Sequence, residues 1–341
     1  LQEVLTRARF DARALDVAKR QATDSLTREG EDAQAVAMRE GLIVHFKGHP
    51  YGRDPLAALK TIPGITREQL SRFLEAYFVP ANMVMAVSGD IQYEQVKQSL
   101  GRFIAGLPAG VPPARQLPAP SAPAPVLTLV HKPGQVQSNV VALLPGMPRS
   151  NPEFWKLNLL MNVFGGSDSL MYTRLRDDLG YVYSAGFYQT ARWQAGLLVG
   201  VIGCKGDKAA DAVLETLGIM RSLHRELPER ELELKRLDTL NSFVFNVDTQ
   251  AELVQAYSRY AMRQEPLDTL NRIQDAYFAS TREDLQKIAR ELLDPRKIQI
   301  VVVADKTTPV AKGDGRAITL EQDLKALSQN LGLPFQEIPL R

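Results

Sequence analysis

Apolar and polar positions follow the same order in two distant stretches of the chain. Residues 66–90 (TREQLSRFLEAYFVPANMVMAVSGD) align without a gap with residues 281–305 (TREDLQKIARELLDPRKIQIVVVAD), at an offset of 215 residues. Each stretch has a threonine suited to capping a helix, apolar positions at helical spacing, a proline and then an apolar run. The first stretch therefore predicts a helix at 67–77 and a strand at 83–90. An internal repeat of this kind predicts two related domains.

A proline-rich stretch divides the chain between the two copies. Residues 107–125 (LPAGVPPARQLPAPSAPAP) have the composition of a semi-rigid, extended linker. We therefore expect residues 1–106 to be the C-terminal part of a first domain and residues 126–341 to form a second domain. The second copy begins 155 residues after the linker, whereas 65 residues stand before Thr66. We expect that about 90 residues of the first domain, with any targeting segment, lie ahead of Leu1.

Within the second domain, runs of strand length alternate with patterns of helical spacing. Strands are predicted at 126–131 and 136–144, on either side of the turn KPGQ. After Gly165 come a further helix and then two more strands. Ser150 and Glu153 have the spacing of a capping box and predict a helix between the two strand pairs. Short turns between strands imply antiparallel pairing. The predicted fold class is therefore α+β, with two homologous α/β sandwich domains, each a mostly antiparallel sheet with helices on one face, and with the first domain incomplete.

Composition and charge narrow the classes of function. The formal net charge is +2 with basic and acidic residues interspersed, so no nucleic-acid-binding stripe is indicated. No run of 18 apolar residues occurs, and no membrane span is predicted in these residues. Cys204, the only cysteine, lies in the apolar run LLVGVIGC and is predicted to be a buried, unreactive thiol.

Three segments together resemble one family of peptidases. The run GGSDSLMYTRLRDDLGYVYSAG at 165–186 resembles the second-domain signature of the M16 metallopeptidases, the family of pitrilysin and the mitochondrial processing peptidase. GHPYGRD at 48–54 and FVPANMVMAVSGD at 78–90 resemble the end of that family's first domain. The resemblance extends over essentially the whole chain, and it implies paired homologous domains, as the internal repeat does.

The resemblance also implies two site residues. In this family the second domain supplies an arginine and a tyrosine, seven residues apart, to an active site built mainly by the first domain. Arg176 and Tyr183 have that spacing, in the frame R-x-x-x-G-x-x-Y with Gly180. A guanidinium can clamp a peptide carbonyl or carboxylate, and a phenol can hydrogen-bond the oxyanion of a tetrahedral intermediate.

The residues alone leave a structural alternative open for this pair. Arg176 could form a surface ion pair with Asp177 or Asp178, and Tyr183 could pack in the sheet. The neighbouring Arg174 and Tyr181 are the competing candidates, and they do not fit the frame R-x-x-x-G-x-x-Y.

The zinc motif of the family, H-x-x-E-H, does not occur in these residues. His45 and His49 have i, i+4 spacing, but no acid lies between them and a proline follows His49, so a turn is predicted rather than a metal site. Counting back from His49, the family's third-ligand position falls on Ser25 and that of a helper glutamate on Ala18, neither of which can bind zinc. Asp24 is acidic but lies one position off, which turns it by about 100° around a helix.

Taken with these positions, the resemblance implies a non-catalytic, substrate-binding subunit of a heterodimeric M16-like zinc peptidase that degrades unfolded peptides. Arg176 and Tyr183 would act in the site of a catalytic partner that carries H-x-x-E-H and the zinc, and no cofactor is expected in this chain. One alternative is a complete zinc metallopeptidase whose H-x-x-E-H lies ahead of Leu1. Another is an inactive scaffold, like the core subunits that share this fold in respiratory complexes. A periplasmic location is expected by analogy with the family.

Overall fold

The computed structural model describes residues 2–114, 117–243, 245, 247–313 and 315–341. The chain divides into two compact units, each made of three separate stretches. Unit 1 comprises Leu1–Thr27, Pro55–Leu117 and Leu240–Gln274, and unit 2 comprises Arg28–Asp54, Pro118–Thr239 and Asp275–Arg341. The two units are defined by contacts between residues. The bounds expected from the repeat (1–106, 107–125 and 126–341) are those of homologous segments, and they stay a prediction.

The regular elements of the described residues are as follows. The helices are α1 (Gln2–Thr6), α2 (Ala12–Glu29), α3 (Ala33–His45), α4 (Arg67–Tyr77), α5 (Tyr93–Ala105), α6 (Phe154–Gly165), α7 (Leu170–Tyr172), α8 (Ala209–Arg225), α9 (Glu229–Phe243), α10 (Gln250–Met262), α11 (Thr269–Ala279), α12 (Arg282–Leu292) and α13 (Leu320–Leu331). The strands are β1 (Val126–His131), β2 (Gln137–Gly146), β3 (Val182–Ala191), β4 (Gly196–Lys205), β5 (Gln299–Ala304), β6 (Pro309–Ala311), β7 (Ala317–Thr319) and β8 (Phe335–Ile338). A π-helix (Thr173–Asp178) continues α7, and short 3-10 turns lie at Pro50–Gly52, Pro55–Lys60, Ile62–Gly64, Pro80–Asn82, Gly206–Lys208 and Pro295–Lys297.

Unit 2 is built on a six-stranded sheet in the order β3-β4-β2-β5-β1-β8. The pairs β3–β4, β4–β2 and β2–β5 are antiparallel, and β1 runs parallel to both β5 and β8. β5 has a neighbour on each side, and all six of its residues are buried. β6 and β7 form a separate two-stranded hairpin. The predicted α+β class with a mostly antiparallel sheet is confirmed.

Helices lie on both faces of this sheet. On one face, Val36 and Ala37 of α3 share a core with Val141 and Leu143 of β2. Gly41 lets α3 approach closely, because a β-carbon at that position would lie 3.0 Å from the side chain of Leu143. Side chains alternate along a strand, so the even-numbered residues of β2 face the opposite side, where α8 and α12 pack. The sandwich thus has the predicted helical layer and, in addition, α3 on its second face.

The internal repeat is present as a repeat of elements. Thr66 caps α4 and Thr281 caps α12, and each threonine belongs to a complete capping box. Both helices have 11 residues, and the same 3-10 turn beginning with proline follows each of them. The predicted helix at 67–77 is confirmed residue for residue.

Two predicted features differ from the structure. Residues 83–88 form no strand, although their counterpart β5 is central in its sheet. A strand needs hydrogen-bonded neighbours, and the described residues supply none here. The box predicted for Ser150 and Glu153 is also wrong, since α6 begins at Phe154 without a side-chain cap. The side chain of Asn151 instead accepts the backbone N–H of Glu153 at 2.8 Å and stabilises the preceding turn.

Candidate functional site

Arg176 and Tyr183 lie on either side of a short turn in unit 2 whose backbone is irregular at three points. The segment that carries Arg176, Thr173–Asp178, is a π-helix. Gly180 has φ = 61°, in the left-handed region that glycine adopts at no steric cost. At Tyr183 the register of β3 against β4 shifts, which is a β-bulge. π-helical turns and β-bulges both recur beside functional sites, and a β-bulge redirects a side chain.

Buried and hydrogen-bonded groups hold this turn in place. Leu175, inside the π-helix, is fully buried, and its carbonyl accepts the backbone N–H of Tyr181 at 3.0 Å. The carbonyl of Tyr181 in turn accepts the N–H of Lys205, at the end of β4, at 3.1 Å. The turn is therefore tied both to the core and to the neighbouring strand, while the next side chain after Leu175, that of Arg176, is exposed.

The guanidinium of Arg176 lies at the start of β3. Its Nη1 donates to the carbonyl of Val182 at 2.8 Å, next in sequence to Tyr183. No ion pair links Arg176 to Asp177 or Asp178 in the part of the chain that the structure describes. The surface ion pair considered from the sequence is therefore not formed. The contact uses one of the five guanidinium N–H donors, which leaves further donors to face a ligand.

The side chain of Tyr183 does not pack into the sheet. It is 50% exposed, whereas Val182 before it is buried. Successive side chains of a strand point to opposite faces, and the bulge in addition takes Tyr183 out of the regular pairing between β3 and β4. The spacing of Arg176 and Tyr183 is visible in the sequence, whereas the contact of Arg176 with the Val182 carbonyl has no sequence signal, since every residue has such a group.

The two neighbouring candidates are engaged with other side chains. Arg174 donates from Nε to Glu215 at 3.0 Å and forms an ion pair with Asp178 at 3.6 Å. The hydrogen bond that Arg174 donates to Glu215, and the negative charge of Glu215, raise the pKa of Arg174. The ring of Tyr181 lies under the ammonium of Lys208, 5.2 Å from the ring centroid. These contacts give Arg174 and Tyr181 structural roles.

A cavity of about 800 Å³ lies next to the π-helix, on the side of Arg174. Arg174, Glu215 and Asp178 line it together with the first turn of α7 and part of α8. Arg176 and Tyr183 are not among its lining residues. The expected pair is thus presented at the exposed side of the turn rather than in this cavity.

The histidines are each hydrogen-bonded within the protein. His45 Nδ1 lies 2.6 Å from Gln299 Oε1, and burial lowers the pKa of His45. His49 accepts the backbone N–H of Tyr51 at Nδ1, and its Nε2 lies 2.9 Å from the carbonyl of Pro118. The other two contact the backbone as well: His131 at Lys306, and His224 at Leu293.

These donors do not fit a zinc site. Among the described residues, no three His, Cys, Asp or Glu side chains come together in a way that could hold a metal ion. Ala18, Asp24 and Ser25, the positions weighed for the third ligand and its helper, lie on exposed parts of α2 in unit 1. Asp24 borders a shallow cavity of about 520 Å³ there, and no histidine lines it. No step of a reaction is therefore assigned to zinc held by these residues.

Cys204 is buried in β4. Burial and the charge of Asp207 raise the pKa of its thiol to about 12. The prediction of an unreactive thiol in the core is consistent with both features. No helix among the described residues combines the length and the apolar character that crossing a bilayer requires.

Comparison with known proteins defines the class of this chain. The family model described as peptidase M16 inactive domain matches residues 64–237. This range includes the linker, β1 to β4 and the turn that carries Arg176 and Tyr183. The chain belongs to the peptidase M16 family through this domain.

Relatives and solved structures agree with this assignment. An uncharacterized zinc protease of Streptomyces coelicolor is 25% identical over 226 residues, which is 59% of this chain and 49% of that protein. The chain thus spans about half the length of this relative. The structure of a peptidase M16 inactive domain from Pseudomonas fluorescens has a TM-score of 0.81 at 20% identity, over 91% of this chain and 74% of that one. The first half of the periplasmic protease PqqL from Escherichia coli has a TM-score of 0.70 at 16% identity, over 97% and 74%.

Proposed function

We propose that this chain is the substrate-binding, non-catalytic subunit of a heterodimeric M16-like zinc peptidase that degrades unfolded peptides. The observation that carries the proposal is the turn at Arg176–Tyr183, where a π-helix and a bulge hold a guanidinium and an exposed phenol at the same end of β3. The zinc ion and the general base would belong to a partner subunit with H-x-x-E-H. The engagement of this chain's histidines within the protein supports that division of roles.

The two side chains would have different tasks in the partner's site. The N–H groups of Arg176 that do not contact Val182 would clamp a carbonyl or carboxylate of the extended peptide, which is ground-state binding. The hydroxyl of Tyr183 would donate to the oxyanion that forms during peptide hydrolysis, which is transition-state stabilisation. Because backbone groups of the peptide are the targets, side-chain specificity should be loose.

Substitutions at these two positions test the assignment. In the reconstituted complex, Tyr183→Phe should lower kcat by about 10²–10³-fold, the scale of one lost oxyanion donor. Its unfolding free energy should change by less than about 0.5 kcal/mol, because an exposed hydroxyl is removed. Arg176→Ala should also raise KM, because a ground-state contact is lost. Steady-state kinetics on an unfolded, quenched-fluorescent peptide give both constants.

Tyr181→Phe and Arg174→Ala are the matched controls, since both residues lie on the same turn and contact other side chains of this chain. Both control variants should retain nearly full turnover. Full activity of Tyr183→Phe, or equal losses in controls and test variants, would show that the pair is wrongly assigned.

A second candidate function is a complete zinc peptidase in one polypeptide. The name of the Streptomyces relative and the half of its length that this chain spans favour it. In that case the zinc motif would belong to residues outside 1–341, and one purified polypeptide would hold one zinc ion and hydrolyse peptide without a partner.

We further propose a periplasmic location, supported by the structural likeness to a periplasmic protease. Cell fractionation with an antibody against the chain tests it.

A further inference from the structure

The cavity of about 800 Å³ beside the π-helix has the volume of a small-molecule site, and Arg176 and Tyr183 do not line it. The π-helix and the first turn of α7 form one of its walls. The second half of α8 and the start of α9 form the other. All of its lining residues lie in unit 2, so the cavity is formed within one compact unit.

Part of the lining is apolar, and a glycine leaves one point of it bare. Leu170, Ile219 and Pro228 contribute apolar surface. Gly218 lies within α8, and a β-carbon there would meet nothing within 4 Å beyond the helix's own backbone. A glycine inside a helix is less stable than an alanine. The helix therefore gives up stability at Gly218, and the cavity gains depth there.

At one end of this apolar stretch, carboxylates outnumber the cation. Arg174 donates to Glu215 at 3.0 Å and pairs with Asp178 at 3.6 Å. One guanidinium therefore faces two carboxylates, and one negative charge is left over at this end. Both carboxylates line the cavity, so the excess charge is presented to a molecule inside it.

The other end has the same balance of charge. Arg225, Glu226 and Glu231 line the cavity where α8 ends and α9 begins. In the part of the chain that the structure describes, none of these three side chains forms an ion pair. One positive and two negative side chains leave a second excess negative charge here.

The two excess charges are separated by a distance that a flexible chain can span. From Glu215 to Glu226 the backbone of α8 advances about 16 Å, at 1.5 Å per residue. Gly218 and Ile219 lie between them on the same helix. The chemical complement is a linear molecule with a cationic group at each end and methylene groups between. An anionic ligand would instead meet four carboxylates and two guanidiniums.

We propose that this cavity binds a linear diamine or polyamine. One ammonium group contacts Glu226 and Glu231, another contacts Glu215, and the methylene chain crosses Gly218. Ammonium groups form charge-assisted hydrogen bonds with carboxylates, and methylene groups gain by leaving water for apolar surface. Arg174 keeps its carboxylate contacts and takes no part in binding the amine. The site goes beyond the proposed function and does not rest on it, because binding is measured without a catalytic partner.

Isothermal titration calorimetry with spermidine tests the site on the purified protein. At about 0.15 M salt, where diffuse attraction between charges is screened, saturable binding of one spermidine per chain is expected. Magnesium chloride at the same total charge should not reproduce this binding, because a compact, strongly hydrated ion has no methylene chain to place over Gly218. The absence of saturable binding, or equal binding of magnesium, would overturn the proposal.

Two charge substitutions at one end of the cavity should act in opposite directions. Glu231→Gln removes an attractive charge and should raise the Kd of spermidine about 2–5-fold, the scale of an exposed ion pair. Arg225→Gln removes a repulsive charge and should lower the Kd by a similar factor. Both side chains are at least partly exposed, so both variants should fold. Changes in the same direction, or an unchanged Kd in Glu231→Gln, would contradict a cationic ligand.

Filling the space above Gly218 provides a steric test. Gly218→Leu places a side chain in the cavity and should raise the Kd at least about 10-fold, while leucine, a good helix former, preserves α8. Gly101→Leu is the matched control, since Gly101 also lies within a helix, α5, with nothing within 4 Å of its β-carbon position. The control should bind spermidine like the unmodified protein, and circular dichroism checks that both variants are folded. Undiminished binding in Gly218→Leu would show that the amine binds outside this cavity and would refute the proposal.

Discussion

At the scale of single residues, the candidate site residues differ from their neighbours in the groups that they contact within the chain. Arg174 contacts two carboxylates, whereas the hydrogen bond described for Arg176 goes to a backbone carbonyl. Tyr183 is half exposed beside it. A guanidinium held by the backbone keeps its charge available to a ligand, which a carboxylate partner would neutralise.

His45 should make the stability of the protein depend on pH. Burial lowers its folded pKa below the ordinary value of 6.5, so the folded state favours the neutral ring. The stability that this provides is fully present above pH 6.5 and is lost as the pH falls from there towards the folded pKa. The unfolding free energy should therefore decrease on acidification by up to about 1.4 kcal/mol per pH unit. Urea unfolding between pH 5 and 8 measures this slope.

His45→Gln is the control for that prediction, because it removes the titrating ring and keeps a polar side chain beside Gln299. The variant should lose part of the slope in this range. Asp305, whose hydrogen bonds with Thr307 and Gly134 lower its pKa to about 2, titrates below the measured range and does not interfere. A slope that is the same in both proteins would show that other groups cause it.

The thiol of Cys204 should be inert in the folded protein. A pKa of about 12 leaves almost no thiolate at neutral pH, and the side chain is buried. An aromatic disulfide reagent should therefore react at pH 8 only after denaturation. Rapid stoichiometric reaction of the native protein would contradict the buried position of β4.

At the scale of elements, the turn between the π-helix and β3 should depend on Gly180. Its φ of 61° is strained for any residue with a β-carbon, although the space around it is open. Gly180→Ala should therefore cost about 1–2 kcal/mol of stability and lower turnover in the complex, because Arg176 and Tyr183 flank the turn. Urea unfolding and steady-state kinetics measure the two effects.

Gly218 provides the opposite case, since it lies within α8 and has open space around it as well. Gly218→Ala should stabilise the protein by up to about 1 kcal/mol, because alanine is the better helix former. Equal effects of the two substitutions would show that the conformation of Gly180 is not required.

Elements that depend on local chemistry could be predicted from the sequence, and those that depend on distant partners could not. The capping boxes at Thr66 and Thr281 set the starts of α4 and α12, and runs of strand length around the turn KPGQ indicated β1 and β2. The strand expected at 83–90 is not formed, because its neighbours are not among the described residues. The parallel edge strand β8 pairs across a long stretch of sequence, which no local pattern encodes.

The features of the candidate site also fall into those that the sequence indicates and those that it does not. The spacing of Arg176 and Tyr183 was visible in the sequence, and Gly180 signalled the turn between them. The π-helix and the bulge had no such signal, because both arise from how Leu175 packs and how β3 pairs with β4. The contact of Arg176 with Val182 follows from that backbone geometry.

At the scale of the whole molecule, the proposed function gives this chain half of an active site. The histidines contact other groups of the chain, no donor set among the described residues fits zinc, and the Arg176–Tyr183 pair is presented at an exposed turn. Under the proposed function, the metal and the general base belong to a second chain. Peptidase activity should therefore depend on assembly.

Reconstitution of the two chains measures this dependence on assembly. Hydrolysis of an unfolded, quenched-fluorescent peptide would be followed with this chain, with the zinc-loaded M16-like subunit that carries H-x-x-E-H, and with an equimolar mixture, and zinc would be determined in each protein. Activity in the mixture should be well above that of either protein alone, and the zinc should be found in the partner. Peptide hydrolysis by this chain alone with one bound zinc ion, or equal activity of the partner with and without this chain, would contradict the proposed function.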